Sequence, residues 1–310
     1  MPMRTIITLN MNPAIDKSTA TEHVIAERKL YCGPANYEPG GGGVNVSRAI
    51  KKLGGESLVV YPAGGMSGKM LNELLEQERV EQLPVSIKGI TRENLIVLEE
   101  ATGRQFRFGM PGPKLERNEW EQCLQELSTI DNASDYLVAS GSLPLGVPSD
   151  FYARVARIGK EIGAKVIIDA SGNALAHALQ EGVYLIKPNI REFRSLVGND
   201  IKEESQISEA AQRMVRAGQC EVIIISLGAA GALLVSEDRV EHMVPPTVPI
   251  LSKVGAGDSM VAGIVLSLSR RKKLREAVLY GIAAGSAAVM TPGTELCRKE
   301  DTDRLYAKMI

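Results

Sequence analysis

Residues 136–169, YLVASGSLPLGVPSDFYARVARIGKEIGAKVIID, decide the fold class. The stretch opens with the apolar run 136–140, continues through an amphipathic segment at 151–162 and closes with a β-branched run at 164–169. Short runs that are apolar on both faces are typical of buried strands in a parallel sheet, and a 3.6-residue period is typical of a helix packed on such a sheet. The stretch therefore predicts a strand–helix–strand unit.

The same alternation extends in both directions along the chain. Further strands are predicted at 5–9, 57–62, 184–187, 222–227 and 232–235, and further helices at 46–53, 69–78, 207–217, 257–268 and 274–289. Strands that alternate with helices predict a doubly wound α/β fold with its site at the carboxyl ends of the strands. No interdomain linker is evident, so residues 1–310 are predicted to form a single domain.

Two stretches early in the chain break this alternation. Residues 17–39 alternate without a helical period, and residues 90–110 contain two strand patterns, 94–99 and 104–108, around Ala101-Thr102-Gly103. A short Gly-containing turn between two such patterns is typical of a β-hairpin. We therefore predict a small antiparallel sheet that projects from the main one and serves as a lid or as a dimer surface.

The composition excludes several classes of protein. Lys and Arg total 36 against 37 Asp and Glu, which is not the basic excess of a non-specific nucleic-acid binder. The four cysteines, Cys32, Cys123, Cys220 and Cys297, are far apart, which excludes a Cys-x-x-Cys zinc site and predicts a reducing, cytoplasmic location. We predict no signal peptide and no membrane span, because no cleavage site follows residues 1–10 and no apolar run is long enough.

The strongest chemical signal is Lys-Val-Gly-Ala-Gly-Asp-Ser at 253–259, at the start of a predicted helix. Small residues at a helix start let backbone N–H groups approach an anion, and the helix dipole favours the same charge. Asp258 can then accept a proton from a hydroxyl while these amides hold a phosphoryl group. A second interpretation stays open, in which Asp258 only stabilises the first turn of the helix.

Four consecutive glycines at 40–43 form a second motif, directly before a predicted helix. They permit positive φ angles and leave no side chains between the backbone and a ligand. Asn45, in the first turn of that helix, can hydrogen-bond a sugar hydroxyl. The alternative, a flexible linker, is disfavoured because a linker does not normally lead straight into an apolar-periodic helix.

Two further motifs follow predicted strands. Asn189 and Glu192 are three residues apart at a helix start, where an amide oxygen and a carboxylate can position a hydrated Mg²⁺. On spacing alone, a capping box is the favoured interpretation. Residues 226–232, Ser-Leu-Gly-Ala-Ala-Gly-Ala, either approach the phosphates or ribose of a nucleotide or, more commonly for such a pattern, form a tight turn into the next strand.

Isolated charges and missing motifs complete the sequence evidence. Asp16 can bind two sugar hydroxyls and Arg92 can bind a phosphate in a forked geometry, although each alone is typical of a surface charge. The chain contains no G-x-x-x-x-G-K-[ST] motif, and no G-x-G-x-x-G opens the first strand–helix unit. These absences disfavour a P-loop phosphotransferase and a nicotinamide dehydrogenase.

Together the motifs resemble the phosphofructokinase B family of ribokinase-like sugar kinases, along nearly the whole chain. Residues 40–45, 189–192 and 255–258 match, in order and spacing, the sugar-binding glycines, the Asn-x-x-Glu magnesium motif and the Gly-Ala-Gly-Asp motif of that family. Within it, residues 106–112, residues 140–144 and above all the unbroken run of glycines at 40–43 are similar to the B-type 6-phosphofructokinases. The related 1-phosphofructokinases and tagatose-6-phosphate kinases typically carry a lysine in place of Gly42.

The resemblance implies a ribokinase-like fold and transfer of phosphate from ATP to fructose 6-phosphate. It implies a base, Asp258, with an anion hole at Gly255, Ala256 and Gly257. It implies sugar contacts from Asp16, Gly41, Gly42, Gly43 and Asn45, and sugar-phosphate contacts from Lys29, Arg92 and Ser142. It implies ATP contacts from Lys187, Asn189, Ser226, Gly228 and Gly231, Mg²⁺ held through water by Glu192, and a monovalent cation such as K⁺ near Ser252, Val254, Ala288, Thr291 and Gly293. It also implies a homodimer packed through the lids.

Two residues depart from the family pattern. Tyr31 stands where similar B-type enzymes have an arginine, which removes one phosphate-binding charge, and Lys253 stands where a threonine is usual. The alternatives within the family are a 1-phosphofructokinase and a tagatose-6-phosphate kinase. A catalytically inactive sugar-binding regulator is a further alternative, disfavoured by the retention of Asp258 and Glu192.

Overall fold

The computed structural model describes residues 6–130, 134–198, 201 and 203–310, so Thr5 of the first predicted strand lies outside the described residues. The strands are β1 (Ile6–Leu9), β2 (Ala14–Thr21), β3 (Asn36–Gly40), β4 (Leu58–Ala63), β5 (Glu81–Ser86), β6 (Arg92–Glu99), β7 (Arg104–Phe108), β8 (Tyr136–Ser140), β9 (Lys165–Asp169), β10 (Val183–Ile186), β11 (Cys220–Ser226), β12 (Ala232–Ser236) and β13 (Arg239–Met243). The helices are α1 (Gly42–Lys52), α2 (Gly65–Gln77), α3 (Arg117–Thr129), α4 (Phe151–Glu161), α5 (Gly172–Gln180), α6 (Ile190–Val197), α7 (Glu204–Arg216), α8 (Ala256–Ser269), α9 (Leu274–Ala288) and α10 (Lys299–Tyr306).

The large sheet has the strand order β13-β12-β11-β10-β9-β8-β1-β4-β5. Every pair from β5 to β11 is parallel, and β12 and β13 extend the sheet with antiparallel pairs. The carboxyl ends of the parallel strands therefore meet along one edge. The predicted doubly wound, ribokinase-like α/β fold is confirmed, and the strand predicted at 136–140 is found with the same bounds.

Both faces of the sheet are buried because its strands are apolar at successive positions. In β8, Leu137 and Ala139 pack on one side with α3 to α7, while Tyr136 and Val138 pack on the other with α1, α8, α9 and α10. Where α4 crosses β9, a Cβ atom on Gly159 would lie 2.2 Å from Val166 Cγ2, so only glycine permits this approach of helix and strand.

The small sheet has the order β3-β2-β6-β7, which confirms the predicted projecting sheet and its hairpin. The outer pairs β2–β3 and β6–β7 are antiparallel, as predicted, whereas the central strands β2 and β6 run parallel. The parallel pair arises because β2 and β6 come from separate connections, each of which follows a strand of the large sheet: β1 in one case and β5 in the other. The sheet begins at Ala14, three residues before the predicted lid segment.

No helix within the described ranges is both long and apolar enough to cross a membrane. The four cysteines are free thiols, of which Cys32 is exposed and the other three are buried.

Candidate active site

The head of α8 carries the Gly-Ala-Gly-Asp motif. Gly255 caps the helix in the left-handed region, with φ 72°, and a Cβ there would lie 2.3 Å from Leu296 Cδ2. Ser259 N donates to Gly255 O at 2.8 Å, which is the first bond of the helix. The amides of Ala256, Gly257 and Asp258 precede that bond and so belong to the unsatisfied first turn. The predicted cluster of backbone donors is therefore formed, and Gly257 and Asp258 line the cavity.

Asp258 is partly buried, and its side chain points toward the amino-terminal half of the protein. Asn45 Nδ2 donates to Asp258 Oδ2 at 2.9 Å, which joins the first turn of α1 to the first turn of α8. Burial, followed by the nearby Asp169 carboxylate, raises the pKa of Asp258 to about 6, against the opposing effects of Asn45 and Lys187. A carboxylate with this pKa is mostly ionised at neutral pH and is a stronger base than a free aspartate.

Asp169 and Lys187 form a buried ion pair at the ends of β9 and β10. Lys187 Nζ lies 3.1 Å from Asp169 Oδ1, and both side chains line the cavity. Burial alone lowers the pKa of the Lys187 ammonium, but the carboxylates of Asp169, Asp258 and Glu192 outweigh it and raise the pKa above its ordinary value. The ammonium is therefore a fixed positive charge, and a Cβ placed on Gly257 would lie 3.4 Å from its Nζ.

The glycines at 40–43 are ordered, so the flexible-linker interpretation is wrong. Gly40 ends β3, Gly41 caps α1 with φ 105°, and Gly42 and Gly43 begin the helix. A Cβ on Gly42 would lie 2.3 Å from Ser140 Oγ, and a Cβ on Gly43 would lie 2.3 Å from Leu9 O. The absence of side chains lets α1 start directly against β1 and β8, and this brings Asn45 to the cavity.

Asp16 lies on β2 and is buried, with 6% of its surface exposed, so the surface-charge interpretation is wrong. Its Oδ1 accepts from Asn94 Nδ2 at 2.8 Å, and its carboxylate fills the space over Gly40. Burial raises the pKa of Asp16, opposed by the Asn94 hydrogen bond and by Arg48 and Arg92.

A buried arginine connects the base of the small sheet to the body. Arg48, 1% exposed, donates from Nε to both oxygens of Glu78 and from Nη1 to Pro39 O at 2.7 Å and Thr294 O at 3.3 Å. Its Nη1 also lies 3.5 Å from Asn45 Oδ1. The sequence gives no signal for this role, because Arg48 looks like a polar position on a helix.

The residues predicted to meet the sugar phosphate are only partly brought together. Arg92 and Ser142 line the cavity, and Asn12 contacts both of them. Lys29 is exposed and does not line it; its ammonium lies 5.1 Å from the ring centre of Tyr31, which is 78% exposed. Lys29 and Tyr31 therefore stand on the outer surface of the small-sheet region in a single chain.

Asn189 and Glu192 form the capping box favoured by their spacing. Asn189 Oδ1 accepts from Arg191 N at 2.9 Å and Glu192 N at 3.0 Å, and Glu192 Oε2 accepts from Asn189 N at 2.8 Å. Both residues also line the cavity, so capping and ligand binding are compatible. The second carboxylate oxygen of Glu192 suits water-mediated contact with Mg²⁺, a cation that keeps several waters in proteins.

The segment after β11 forms a tight turn into β12, which is the interpretation that the sequence pattern favoured. Residues 228–230 form one turn of 3₁₀ helix, and a Cβ on Gly231 would lie 2.0 Å from Met243 O. Ser226 lines the cavity, whereas Gly228 and Gly231 do not. A Cβ on Gly228 would meet open space, so this glycine leaves room beside the cavity.

The five residues assigned to a monovalent cation come together beside α8. Ser252 Oγ donates to Gly293 O at 2.8 Å and accepts from Val254 N at 3.2 Å, while Thr291 Oγ1 donates to Ala288 O at 2.8 Å. Carbonyl and hydroxyl oxygens concentrated in one place suit a K⁺ ion.

Residues from β6, from the ends of β8 to β11 and from the starts of α1, α6 and α8 enclose one cavity of about 540 Å³ at the carboxyl edge of the sheet. Asp16, Gly43 and the five residues assigned to the cation do not line it. Several residues of its wall were not predicted as site residues, among them Asn94, Ser140, Gly141, Asp169, Ala170 and Ser171. Asp169 was recognisable, because it is the polar last residue of a predicted strand. The cavity combines a positively charged ammonium, a carboxylate that can act as a base, backbone amides at the head of a helix and polar groups that can contact a sugar. This combination suits phosphoryl transfer to a hydroxyl.

The model of the family described as "pfkB family carbohydrate kinase" matches residues 9–301. The chain belongs to this family. ATP-dependent 6-phosphofructokinase isozyme 2 of Mycobacterium tuberculosis (strain CDC 1551 / Oshkosh) is 42% identical over 301 residues, which cover 97% of this chain and 88% of that protein. The protein of the same name from Escherichia coli (strain K12) is 42% identical over 303 residues, which cover 97% and 98%.

Solved structures of pfkB-type kinases also match the fold of this chain. The crystal structure of phosphofructokinase-2 from Escherichia coli in complex with potassium matches with a TM-score of 0.95 and 41% identity, covering 99% of each chain. A crystal structure of the same protein with fructose 6-phosphate matches with a TM-score of 0.94 and 40% identity, also over 99% of each chain. The family resemblance predicted from the motifs is thereby confirmed.

Proposed function

We propose that the protein is an ATP-dependent 6-phosphofructokinase, which phosphorylates the 1-hydroxyl of fructose 6-phosphate to give fructose 1,6-bisphosphate. The observation that carries the proposal is the Asn45–Asp258 hydrogen bond, which seats a carboxylate of raised pKa between a glycine-lined pocket and the head of a helix. The two relatives at 42% identity, both ATP-dependent 6-phosphofructokinases, support this choice of donor and acceptor.

In the proposed reaction Asp258 accepts the proton of the 1-hydroxyl as that oxygen attacks the γ-phosphorus of ATP. The new O–P bond forms while the bond to the β-phosphate oxygen breaks, and ADP leaves. The amides of Ala256, Gly257 and Asp258 stabilise the transferring oxygens, because donors fixed before the reaction need not reorganise during it. The ammonium of Lys187, held by Asp169, compensates the negative charge of the donor phosphates.

The polar groups beside Lys187 fit Mg²⁺. Glu192 and Asn189 line the cavity next to that ammonium, and Mg²⁺ prefers one or two carboxylates with retained waters and substrate phosphates. When bound, Mg²⁺ offsets charge on the donor phosphates. Ser252, Val254, Ala288, Thr291 and Gly293 are proposed to hold K⁺ near the helix amides, which a solved potassium complex of the Escherichia coli relative supports.

For the acceptor, we assign Asp16, Gly41, Gly42 and Asn45 to the sugar hydroxyls, and Arg92 and Ser142 to the 6-phosphate. Gly42 favours this assignment over the lysine-containing branches of the family, because a Cβ there would already lie 2.3 Å from Ser140 Oγ. A lysine at this position requires a different arrangement of the wall.

The test compares kcat/KM for fructose 6-phosphate, fructose 1-phosphate and tagatose 6-phosphate with ATP as donor. We expect fructose 6-phosphate to have the highest value. A higher value for either of the other sugars would replace the proposal with a 1-phosphofructokinase or a tagatose-6-phosphate kinase. No ATP-dependent turnover of any sugar phosphate would leave a sugar-binding regulator.

We also propose that two copies pair through their small sheets in a reducing cytoplasm. The small-sheet region exposes large apolar side chains, namely Ile25, Tyr31, Tyr37, Leu98, Phe108 and Met110. Exposed apolar side chains gathered on one part of a surface are typical of an interface. Sedimentation of the active enzyme tests this pairing, and a fully active monomer would contradict it.

A further inference from the structure

Asn12 lies between β1 and β2, behind the part of the cavity wall formed by Arg92 and Ser142. It is 7% exposed and does not itself line the cavity. Its Nδ2 donates to Ser142 Oγ at 3.0 Å. Its backbone oxygen accepts from Arg92 Nε at 3.3 Å and Nη2 at 2.9 Å. A single residue thus contacts the two side chains proposed to bind the sugar phosphate.

The side-chain bond determines what Ser142 can offer. A serine hydroxyl has one proton and two lone pairs. Because the Asn12 N–H group occupies a lone pair of Ser142 Oγ, the hydroxyl proton is left for another acceptor. A fully ionised phosphate group has oxygens that accept hydrogen bonds and no proton to donate. This arrangement therefore makes Ser142 a donor suited to an anion.

The other end of the Asn12 amide supports a specialised role. Asn12 Oδ1 is buried and has no hydrogen-bond partner among the described residues. It faces Gly112, where a Cβ would lie 2.1 Å from it, so only a residue without a side chain fits there. Unpaired buried polar atoms are rare in folded proteins, and those that occur call for an explanation such as function. Here the N–H end of the amide is committed to Ser142, and this fixes the direction of the oxygen.

We infer that Asn12 is a positioning residue for recognition of the sugar phosphate, acting by keeping the Ser142 hydroxyl as a hydrogen-bond donor beside Arg92. This inference rests on the proposed function and deepens it, because it assigns specificity for the phosphate group to a residue that does not touch the substrate. The chemistry predicts that the polarity of the side chain at position 12 matters as much as its size.

The test uses Asn12→Ala and Asn12→Asp in the full-length enzyme. In Asn12→Ala we expect KM for fructose 6-phosphate to rise roughly tenfold, equivalent to about 1.4 kcal/mol, with kcat and KM for ATP within about twofold. Asn12→Asp keeps the size of the side chain but accepts the Ser142 proton and adds a negative charge, so its KM should rise further. Asn118→Asp, an exposed change on α3, controls for the added charge.

A Ser142→Ala background separates positioning from general damage to the fold. If Asn12 acts through Ser142, Asn12→Ala adds nothing further to KM in that background, because the two changes remove one interaction. Independent, additive effects would overturn the inference. If Asn12→Ala does not fold, the uncharged and similarly sized Asn12→Leu carries the comparison, alone and with Ser142→Ala.

The remaining outcomes are also decisive. A wild-type enzyme that does not use fructose 6-phosphate refutes the proposed function, and the inference falls with it. A wild-type enzyme that does use it, with an unchanged KM in Asn12→Asp, overturns the inference alone. A fall in kcat with a comparable rise in KM for both fructose 6-phosphate and ATP marks a merely structural role for Asn12 and overturns the inference as well.

Discussion

Replacing Asp258 by Asn should make this protein much slower and at the same time more stable. Asparagine has the same shape, but it cannot accept the proton of the attacking hydroxyl. Loss of a general base typically costs a factor of roughly 10² to 10⁴, and we expect kcat to fall within that range. Lys187 still has Asp169 as an ion-pair partner at 3.1 Å in this variant, so the buried ammonium is not left without a counter-charge.

The stability change follows from the pKa of Asp258. Burial and the Asp169 carboxylate raise this pKa from its ordinary 3.8 to about 6, which means that the folded protein disfavours the ionised form. One pKa unit is worth about 1.36 kcal/mol, so ionised Asp258 costs the fold about 3 kcal/mol at pH 8. At pH 5 the folded-state carboxyl is mostly protonated, and the cost falls to roughly half. Asp258→Asn removes this cost, with the larger gain at pH 8.

Two measurements check these expectations. ADP release in the presence of fructose 6-phosphate gives kcat, and denaturant unfolding at pH 8 and pH 5 gives the free energy of unfolding. Near-normal turnover in Asp258→Asn would rule out Asp258 as the base. A variant less stable than the wild type at pH 8 would refute the electrostatic argument, even if activity were lost.

Three further predictions concern neighbouring groups. Activity should fall below about pH 6, where Asp258 becomes protonated. Asn45→Ala should move this acidic limb of log(kcat/KM) to higher pH, because the variant loses a hydrogen bond that lowers the pKa of Asp258. Gly42→Ala should lower kcat/KM by at least tenfold, because the new Cβ meets the cavity wall at 2.3 Å. Glu78→Ala should reduce the free energy of unfolding by about 3 kcal/mol, measured in urea, because it leaves the Arg48 charge buried without its closest carboxylate.

Each of these has a matched control. For the pH profile the readout is the difference between the two proteins, since phosphate groups of the substrates also titrate near pH 6. Gly109→Ala, where a Cβ meets open space, should leave kcat/KM unchanged. Glu56→Ala breaks a more exposed ion pair with Lys51 and should cost less than about 1 kcal/mol. If Gly109→Ala lowered kcat/KM as much as Gly42→Ala, the packing argument would be wrong. If Glu56→Ala lowered the free energy of unfolding as much as Glu78→Ala, the burial argument would be wrong.

The fold was predictable wherever burial on both faces leaves a mark on the sequence. β8 and β9 are continuous apolar runs, and α4 between them is amphipathic, so periodicity alone recovers this unit. β5 was missed because it lies at the edge of the sheet, where its polar residues and Pro84 do not look like a strand. α5 was missed because nine residues are too few to establish a helical period.

The site was predictable where its residues are contiguous and unpredictable where they meet only in space. The glycines at 40–43 and the motif at 253–259 are contiguous, and two residues of each line the cavity: Gly41 and Gly42, and Gly257 and Asp258. Asp16 looked like a surface charge because its burial depends on β3 and β6, which cover it from either side. Arg48 and Asn12 carry no motif at all, since their partners come from distant parts of the chain.

The hydrogen bond between Asn45 and Asp258 spans 213 positions. A ribosome therefore makes the part of the cavity wall contributed by α1 long before it makes Asp258, the proposed base. α8 must then dock on α1 from the far end of the chain. Nascent or proteolysed chains that stop short of α8 keep the other cavity residues but lack Gly257 and the proposed base, Asp258. Turnover thus reports that synthesis and docking of the carboxyl-terminal helices have both been completed.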